Sequence, residues 1–201
     1  MSQSPPRTPP SKPPPLPDFA DSKPSSFARK MRLAPSSWGY GLPLAPPQID
    51  LTGARKGWLF VYGSLCDPTM LVDVLELPEE PVLRPAYICG YWSRMWGQYP
   101  AVLYGPAGMI VEGAAFEVQS IGHAEKLAIY ETSNYKADPC LIKFTDNEEP
   151  SVIHGSVFIF VGNIRDLSAG AFDLTRWLRS VGRHKAAEKL EAKKKIRPSI
   201  T

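Results

Sequence analysis

Trp58-Leu59-Phe60-Val61-Tyr62-Gly63-Ser64-Leu65-Cys66-Asp67-Pro68 is the stretch on which the fold turns. Its first five residues are aromatic or branched apolar side chains, which suit a pleated and buried surface and predict a strand. Gly63, followed by the small Ser64, lets the backbone turn tightly. Asp67-Pro68 has the form of a helix N-cap with proline at the first helical position. Met70, Leu71, Val74 and Leu75 then share one face of a short helix over 69–75. The order is therefore strand, tight loop, helix N-terminus. In that geometry the N–H groups of Gly63, Ser64 and Leu65 can converge on an anion or carboxylate, and the helix end adds positive potential. The plainer alternative is an ordinary strand-to-helix turn. The stretch contains neither a Walker loop nor a dinucleotide fingerprint.

Downstream, 82–95 is rich in Tyr, Ile and Trp and predicts a second strand. Residues 99–103 predict a short strand, and 109–118 another, interrupted by Gly113. Ala124, Leu127, Ala128 and Glu131 recur at helical spacing, so 121–131 predicts a helix that stops near Thr132-Ser133-Asn134. Strands are expected around 140–144 and 152–161. Leu174, Trp177 and Leu178 mark a last core helix with Asp173 near its start, and the Ala/Glu/Lys-rich 184–195 predicts an exposed helix with little to bury. About six strands and three or four helices, without regular βαβ alternation, predict an α+β domain. Its form would be a small, strongly curved mixed β-sheet or β-barrel with flanking helices.

Composition divides the chain. The first 50 residues hold 13 of the 22 prolines. Runs such as Pro13-Pro14-Pro15 fix φ, remove backbone donors and favour extended polyproline II. A disordered tail is expected over 1–50, with an apolar aromatic arm beginning at Trp38, then one domain over 51–182 and a basic C-terminal helix and tail over 183–201. A formal charge of +3, with the bases concentrated near the C-terminus, does not make a phosphate-tracking stripe, so no nucleic-acid partner is expected. Three cysteines without a CxxC pair fit a reducing compartment. The N-terminus lacks the apolar core of a secretory signal, and no apolar run is long enough to span a membrane. A cytoplasmic protein is the expectation. The polyproline runs are of the kind that SH3 or WW domains take up, although most such runs are spacers.

Glu131 closes the apolar face of its helix. If it points inward, burial disfavours its charged form and suits a group that takes and returns a proton. A solvated helix-end glutamate is the bland reading. Tyr135, four residues on, could orient that carboxylate or simply be core. His123, His154 and His184 are scattered without metal-ligand spacing, so no metal and no cofactor are expected. Cys66 sits near a helix start, where a thiolate is stabilised, but no histidine is placed to pair with it. Ser64 lacks the surroundings of a hydrolase elbow.

Phe60-Val61-Tyr62-Gly63-Ser64-Leu65 resembles the signature loop of the γ-glutamyl cyclotransferase-like superfamily, in particular its AIG2-like branch. Gly90-Tyr91, Tyr99-Pro100-Ala101, the strand from Glu112-Gly113 to Val118, and Leu127-Ala128-Ile129-Tyr130-Glu131 followed by Tyr135 resemble further family motifs in the same order. The resemblance spans roughly residues 58 to 161 and implies that family's fold. It implies cleavage of a small γ-glutamyl compound without water: the substrate α-amine attacks its own γ-carbonyl, giving 5-oxoproline and releasing an amine, amino acid or peptide. By resemblance Glu131 matches the catalytic glutamate. Tyr62, Gly63, Ser64 and Leu65 match the loop that holds the glutamyl end, and Tyr135 the downstream tyrosine. Two departures stand out. Ala128 occupies a position where many relatives carry aspartate, and Lys136-Ala137-Asp138-Pro139 follows Tyr135 where relatives often have arginine. The alternative is a catalytically inactive member of the fold that binds a ligand or protein. A solvent-facing Glu131, or a pocket filled by Trp92 or Trp96, would favour it.

Overall fold

The structure is a computed structural model in which residues 55–196 are described. The expected tail over 1–50, its arm from Trp38, and residues 197–201 lie outside the described residues. The chain forms β1 (Gly57–Val61), a 3-10 turn (Gly63–Cys66), α1 (Pro68–Leu75), β2 (Arg84–Cys89), β3 (Tyr91–Trp96), β4 (Tyr99–Tyr104) and β5 (Ile110–Val118). It continues with α2 (Ile121–Glu131), β6 (Tyr135–Phe144), β7 (Val152–Phe160), β8 (Leu167–Ser168), α3 (Leu174–Ser180) and α4 (His184–Ile196). Five strands close a barrel in the order β1-β5-β2-β6-β7, and β4-β3-β8 form a second, three-stranded sheet. The expected α+β barrel with flanking helices is the fold observed. All barrel pairings are antiparallel except β1 with β7, which closes the ring through Leu59↔Ser156 and Phe60↔Val157.

Alternation along β1 sends successive side chains to opposite faces. Phe60 points into the barrel, where it meets Ile88, Val111, Ile142 and Val157. Leu59 and Val61 point outward and join Phe116 to Leu71, Leu75, Leu127 and Leu178 of α1, α2 and α3. Each fully buried side chain of this size contributes about 1.5–3 kcal/mol, so both faces of β1 are committed to core. The strand-loop-helix order read at 58–75 holds. Asp67 caps α1 by accepting from the Thr69 N–H at 3.4 Å, with Pro68 next in line.

The structure departs from the sequence reading in four places. The single strand expected over 82–95 is two strands in different sheets, because Gly90 takes φ +82° and turns the chain between β2 and β3. The strand through Gly113 is not interrupted: it runs from Ile110 to Val118, and a Cβ at Gly113 would stand 2.3 Å from the Val61 carbonyl oxygen. The strand expected around 140–144 begins at Tyr135 and contains Pro139. At Pro139 the strand is paired with β7 alone, and its pairing to β2 is confined to residues near 143 and 144, so a missing N–H is tolerated there. Finally, α4 is not merely an exposed helix. Ala187 is fully buried, and Ala186 and Leu190 pack against the outer core. Among the described residues no helix is long and apolar enough to cross a membrane.

Candidate active site

The top of β1 leads directly into the site. Tyr62 extends its hydroxyl to donate to the Phe158 carbonyl on β7 at 2.5 Å. Gly63 then opens the 3-10 turn at φ +65°, a left-handed conformation that favours glycine. Space demands glycine as well, since a Cβ at Gly63 would come within 2.5 Å of the Pro100 ring. In a turn closed by i→i+3 bonds, Gly63 and Ser64 have N–H groups without an acceptor inside the turn, whereas the Leu65 N–H is the first to reach back, to the carbonyl of the capping Tyr62. The Leu65 side chain is buried in the outer core, so only its backbone belongs to the loop surface.

The Ser64 Oγ and Tyr130 hydroxyl are 2.8 Å apart in a buried hydrogen bond. Tyr130 lies on α2, immediately before Glu131, so this bond ties the loop to the helix that carries the carboxylate. Ser120 caps that helix at its start, accepting from the His123 N–H at 3.1 Å. Its inward face is Ala124, Leu127, Ala128 and Tyr130, and Glu131 is half-buried at its end. Tyr135 returns from the helix end and donates its hydroxyl to the Pro100 carbonyl at 3.2 Å. Pro100 therefore touches the site twice, through its ring at Gly63 and its carbonyl at Tyr135.

Four phenols respond to the Glu131 charge. Burial, then the Glu131 carboxylate, push the Tyr62 hydroxyl well above its ordinary pKa, against a Val102 backbone hydrogen bond that lowers it. Tyr130 is raised by burial first and Glu131 second, with the Ser64 bond opposing. Tyr99 is pushed up to about 12 by burial and Glu131. Tyr135 is raised well above the ordinary value by burial first, then by Tyr62 and Glu131. All four stay protonated at neutral pH.

Of the residues expected from sequence, Tyr62, Gly63, Ser64, Glu131 and Tyr135 converge here, and Leu65 contributes backbone. Tyr99, Pro100 and Tyr130 were not among the expected site residues. Tyr99-Pro100 and the Tyr130-Glu131 pair were visible as motifs, but their pairing with residues near 63 and 135 is a tertiary fact. Cys66 does not offer a thiolate. Its thiol donates to the Val61 carbonyl at 3.3 Å, and burial pushes its pKa up to about 12. Trp92 is half-buried with the Arg94 guanidinium 5.2 Å from its ring, whereas Trp96 is buried with its ring centroid 5.8 Å from that of Tyr135. Asp138 is engaged as the acceptor of the Tyr104 hydroxyl. Among the described residues no group of three or more His, Cys, Asp or Glu side chains is gathered as a metal ion would require.

A small closed barrel with flanking helices is the fold of a known class, and the chain belongs to one family within it: the family described as gamma-glutamyl cyclotransferase, AIG2-like, matches residues 59–178. Among solved structures, one solution structure from Arabidopsis thaliana is 22% identical with a TM-score of 0.50, the match covering 69% of this chain and 81% of that one. A second Arabidopsis thaliana solution structure is 23% identical with a TM-score of 0.48, covering 73% of this chain and 94% of the other. A protein described as gamma-glutamyl cyclotransferase is 12% identical with a TM-score of 0.45, covering 69% and 88%. The first of these likenesses speaks for the fold alone. No curated protein matched the chain.

Proposed function

We propose that the protein is a γ-glutamyl cyclotransferase. Its substrate carries a free α-amine and a γ-glutamyl amide. The amine nitrogen attacks the γ-carbonyl carbon of the same molecule, a new C–N bond closes the five-membered ring, and the original amide C–N bond breaks. The products are 5-oxoproline and a released amine, amino acid or peptide, with no water consumed.

Glu131 is the group that moves the proton. Near neutral pH an α-amine is mostly protonated and a poor nucleophile. A carboxylate within hydrogen-bond reach accepts its proton as the ring closes and passes it to the departing nitrogen. Ring closure within one bound molecule needs chiefly a folded-back pose, which a loop gripping the glutamyl end imposes. The N–H groups of Gly63 and Ser64, which have no acceptor inside the 3-10 turn, suit that grip on the substrate carboxylate. Tyr62 and Tyr135 spend their single protons on the Phe158 and Pro100 carbonyls, so their part is to shape the wall. The chemistry calls for no cofactor.

The observation that carries this reading is the buried Ser64–Tyr130 bond at 2.8 Å, which holds the loop against the helix one residue before Glu131. The test is release of 5-oxoproline from a panel of γ-glutamyl amines, amino acids and peptides. Wild type should turn over at least one, and a folded Glu131→Gln should lose about 10²–10⁴-fold in rate. Equal turnover by the variant would remove Glu131 as the base.

A second reading is a binding module on the same fold. Trp96 packed edge-on against Tyr135 favours it. So does Ala128, buried where many relatives are expected to carry an acid. Ligand retention without turnover across the panel would move it to the front.

A further inference from the structure

The family match stops at residue 178, but the chain continues through Arg183 into α4. Arg183 reaches back across the fold to the start of α1. Its guanidinium donates to Thr69 Oγ1 at 2.6 Å, pairs with Asp73, and stands 3.8 Å from the Asp67 carboxylate. The Arg183 and Asp67 side chains are only 14% and 8% exposed. Asp67 is the junction between the 3-10 turn and α1. Its N–H donates to the Ser64 carbonyl at 3.2 Å, and its carboxylate accepts the Thr69 hydroxyl at 2.5 Å. The helix behind Arg183 lies over the same junction. Ala187 is fully buried, and Lys189 pairs with Glu80 at 2.5 Å. Only a crevice of about 30 Å³, lined by residues including Cys66, Asp67, Pro68 and Leu190, is left beneath the helix.

We propose that Arg183 and α4 brace the Gly63–Leu65 loop, with Arg183 as a positioning residue that acts through Asp67 and Thr69. A charge held by three partners in a mostly buried setting fixes the geometry at both ends. Removing the guanidinium leaves the Asp67 carboxylate without its counter-charge at the point where the turn is closed on Ser64. The turn then opens locally while the barrel, held by its own strands, stays closed. The kinetic part of the proposal rests on the cyclotransferase reading, and the structural part does not. Since the loop grips the glutamyl end of the substrate, loosening it raises KM more than it lowers kcat.

Cys66 reports the loop directly, because its thiol is tied to Val61 and lies at the crevice. In the full chain, thiol labelling would be followed cysteine by cysteine by mass spectrometry in wild type, Arg183→Met and Arg183→Lys. Cys89 is exposed and Cys140 is buried in the barrel, so they serve as the labelled and protected references. Arg183→Met should raise labelling of Cys66 by about tenfold or more and leave Cys140 protected, with Arg183→Lys recovering part of the protection. Cys66 as slow as in wild type would overturn the brace. So would Cys66 and Cys140 opening together, which is global loss of stability. If Arg183→Met does not fold, Asp73→Asn removes a partner that is 55% exposed and should give a smaller rise confined to Cys66, judged by the same two reversals. In the 5-oxoproline assay, Arg183→Met should show the KM increase, and a fall in kcat at unchanged KM would overturn positioning. If wild type yields no 5-oxoproline from any substrate, the cyclotransferase reading falls and the labelling still decides the brace.

Discussion

Thr132 ends the helix that carries Glu131, and it does so at φ 70° and ψ 176°. That region is close to glycine-only, and a β-branched residue held there costs about 1–3 kcal/mol. The position is held from both sides: the Thr132 N–H donates to the Ala128 carbonyl at 3.1 Å, and its own carbonyl accepts from Tyr135 at 3.3 Å. The strain is thus paired with the two residues it separates, Glu131 and Tyr135. Thr132→Gly should relieve it; after the extra entropy a glycine loses on folding and the loss of the Thr132 Oγ1 that accepts the Asn134 N–H at 3.4 Å, the net stabilisation should reach about 1 kcal/mol at most. Calorimetry should show the thermal midpoint rising by about 2–4 °C. An unchanged or lower midpoint would mean that the neighbouring bonds, not the side chain, set this conformation's cost. Residue-scale chemistry was partly legible in the sequence. Asp67-Pro68 and Asp173 announced their helix starts, because a cap is local. The Ser64–Tyr130 bond was not legible, since nothing within a few residues of Ser64 indicates a phenol sixty-six positions away.

At the scale of elements, β2 is pinned to the β6–β7 connection by one arginine. Arg84 donates to Asp146 through Nε at 2.7 Å and through a terminal nitrogen at 2.9 Å, and its guanidinium lies 3.6 Å from the centre of the Phe144 ring. The Arg84 hydrogen bond draws the Asp146 pKa down from the ordinary 3.8 to about 2. A carboxyl whose folded pKa is depressed adds stability above its unfolded pKa, because the unfolded chain takes up the proton first as pH falls. The contribution is therefore intact above 3.8 and is lost as pH falls through about 2. Denaturant midpoints of wild type and Asp146→Asn should differ near neutral pH and converge at the acid end of that window. A difference that persists there would assign the effect to packing. At this scale the sequence showed β1, α1, α2 and β7 well, because each has a clean apolar period and a local stop. It hid the division at Gly90, since apolar and aromatic residues continue on both sides of the turn. It also hid the first half of β6, where Asp138-Pro139 has the look of a turn. Only the one-sided pairing of β6 lets that proline sit inside a strand.

Across the whole molecule the phenols act together. Tyr62, Tyr91, Tyr99, Tyr104, Tyr130 and Tyr135 all have raised pKa values, by burial in every case but Tyr104, where the hydrogen bond to Asp138 leads. A raised folded pKa gives stability that is complete below the unfolded value and is lost as pH rises toward the folded one. The fold should weaken cooperatively above about pH 10, where unfolded tyrosines ionise. Tyrosinate absorbance should then rise in step with loss of the near-ultraviolet circular dichroism. Ionisation of most tyrosines ahead of unfolding would contradict the burial of these phenols, four of which lie near Glu131. The barrel itself was expected from strand count and irregular helix placement, but its closure was not. That closure pairs β1, the first described strand, with β7, and Tyr62 bonds to Phe158 across ninety-six positions. Pairings so distant in sequence form late, since the entropy of closing a long loop must be met before the contact repays it. During synthesis, therefore, β1 emerges before either of its two neighbours, and even once β5 has followed it keeps one edge exposed until β7 arrives, nearly a hundred residues behind it. The loop that begins at its tip takes up its full set of contacts only when the last barrel strand has docked, so the order of translation makes the candidate site one of the final parts of the molecule to exist.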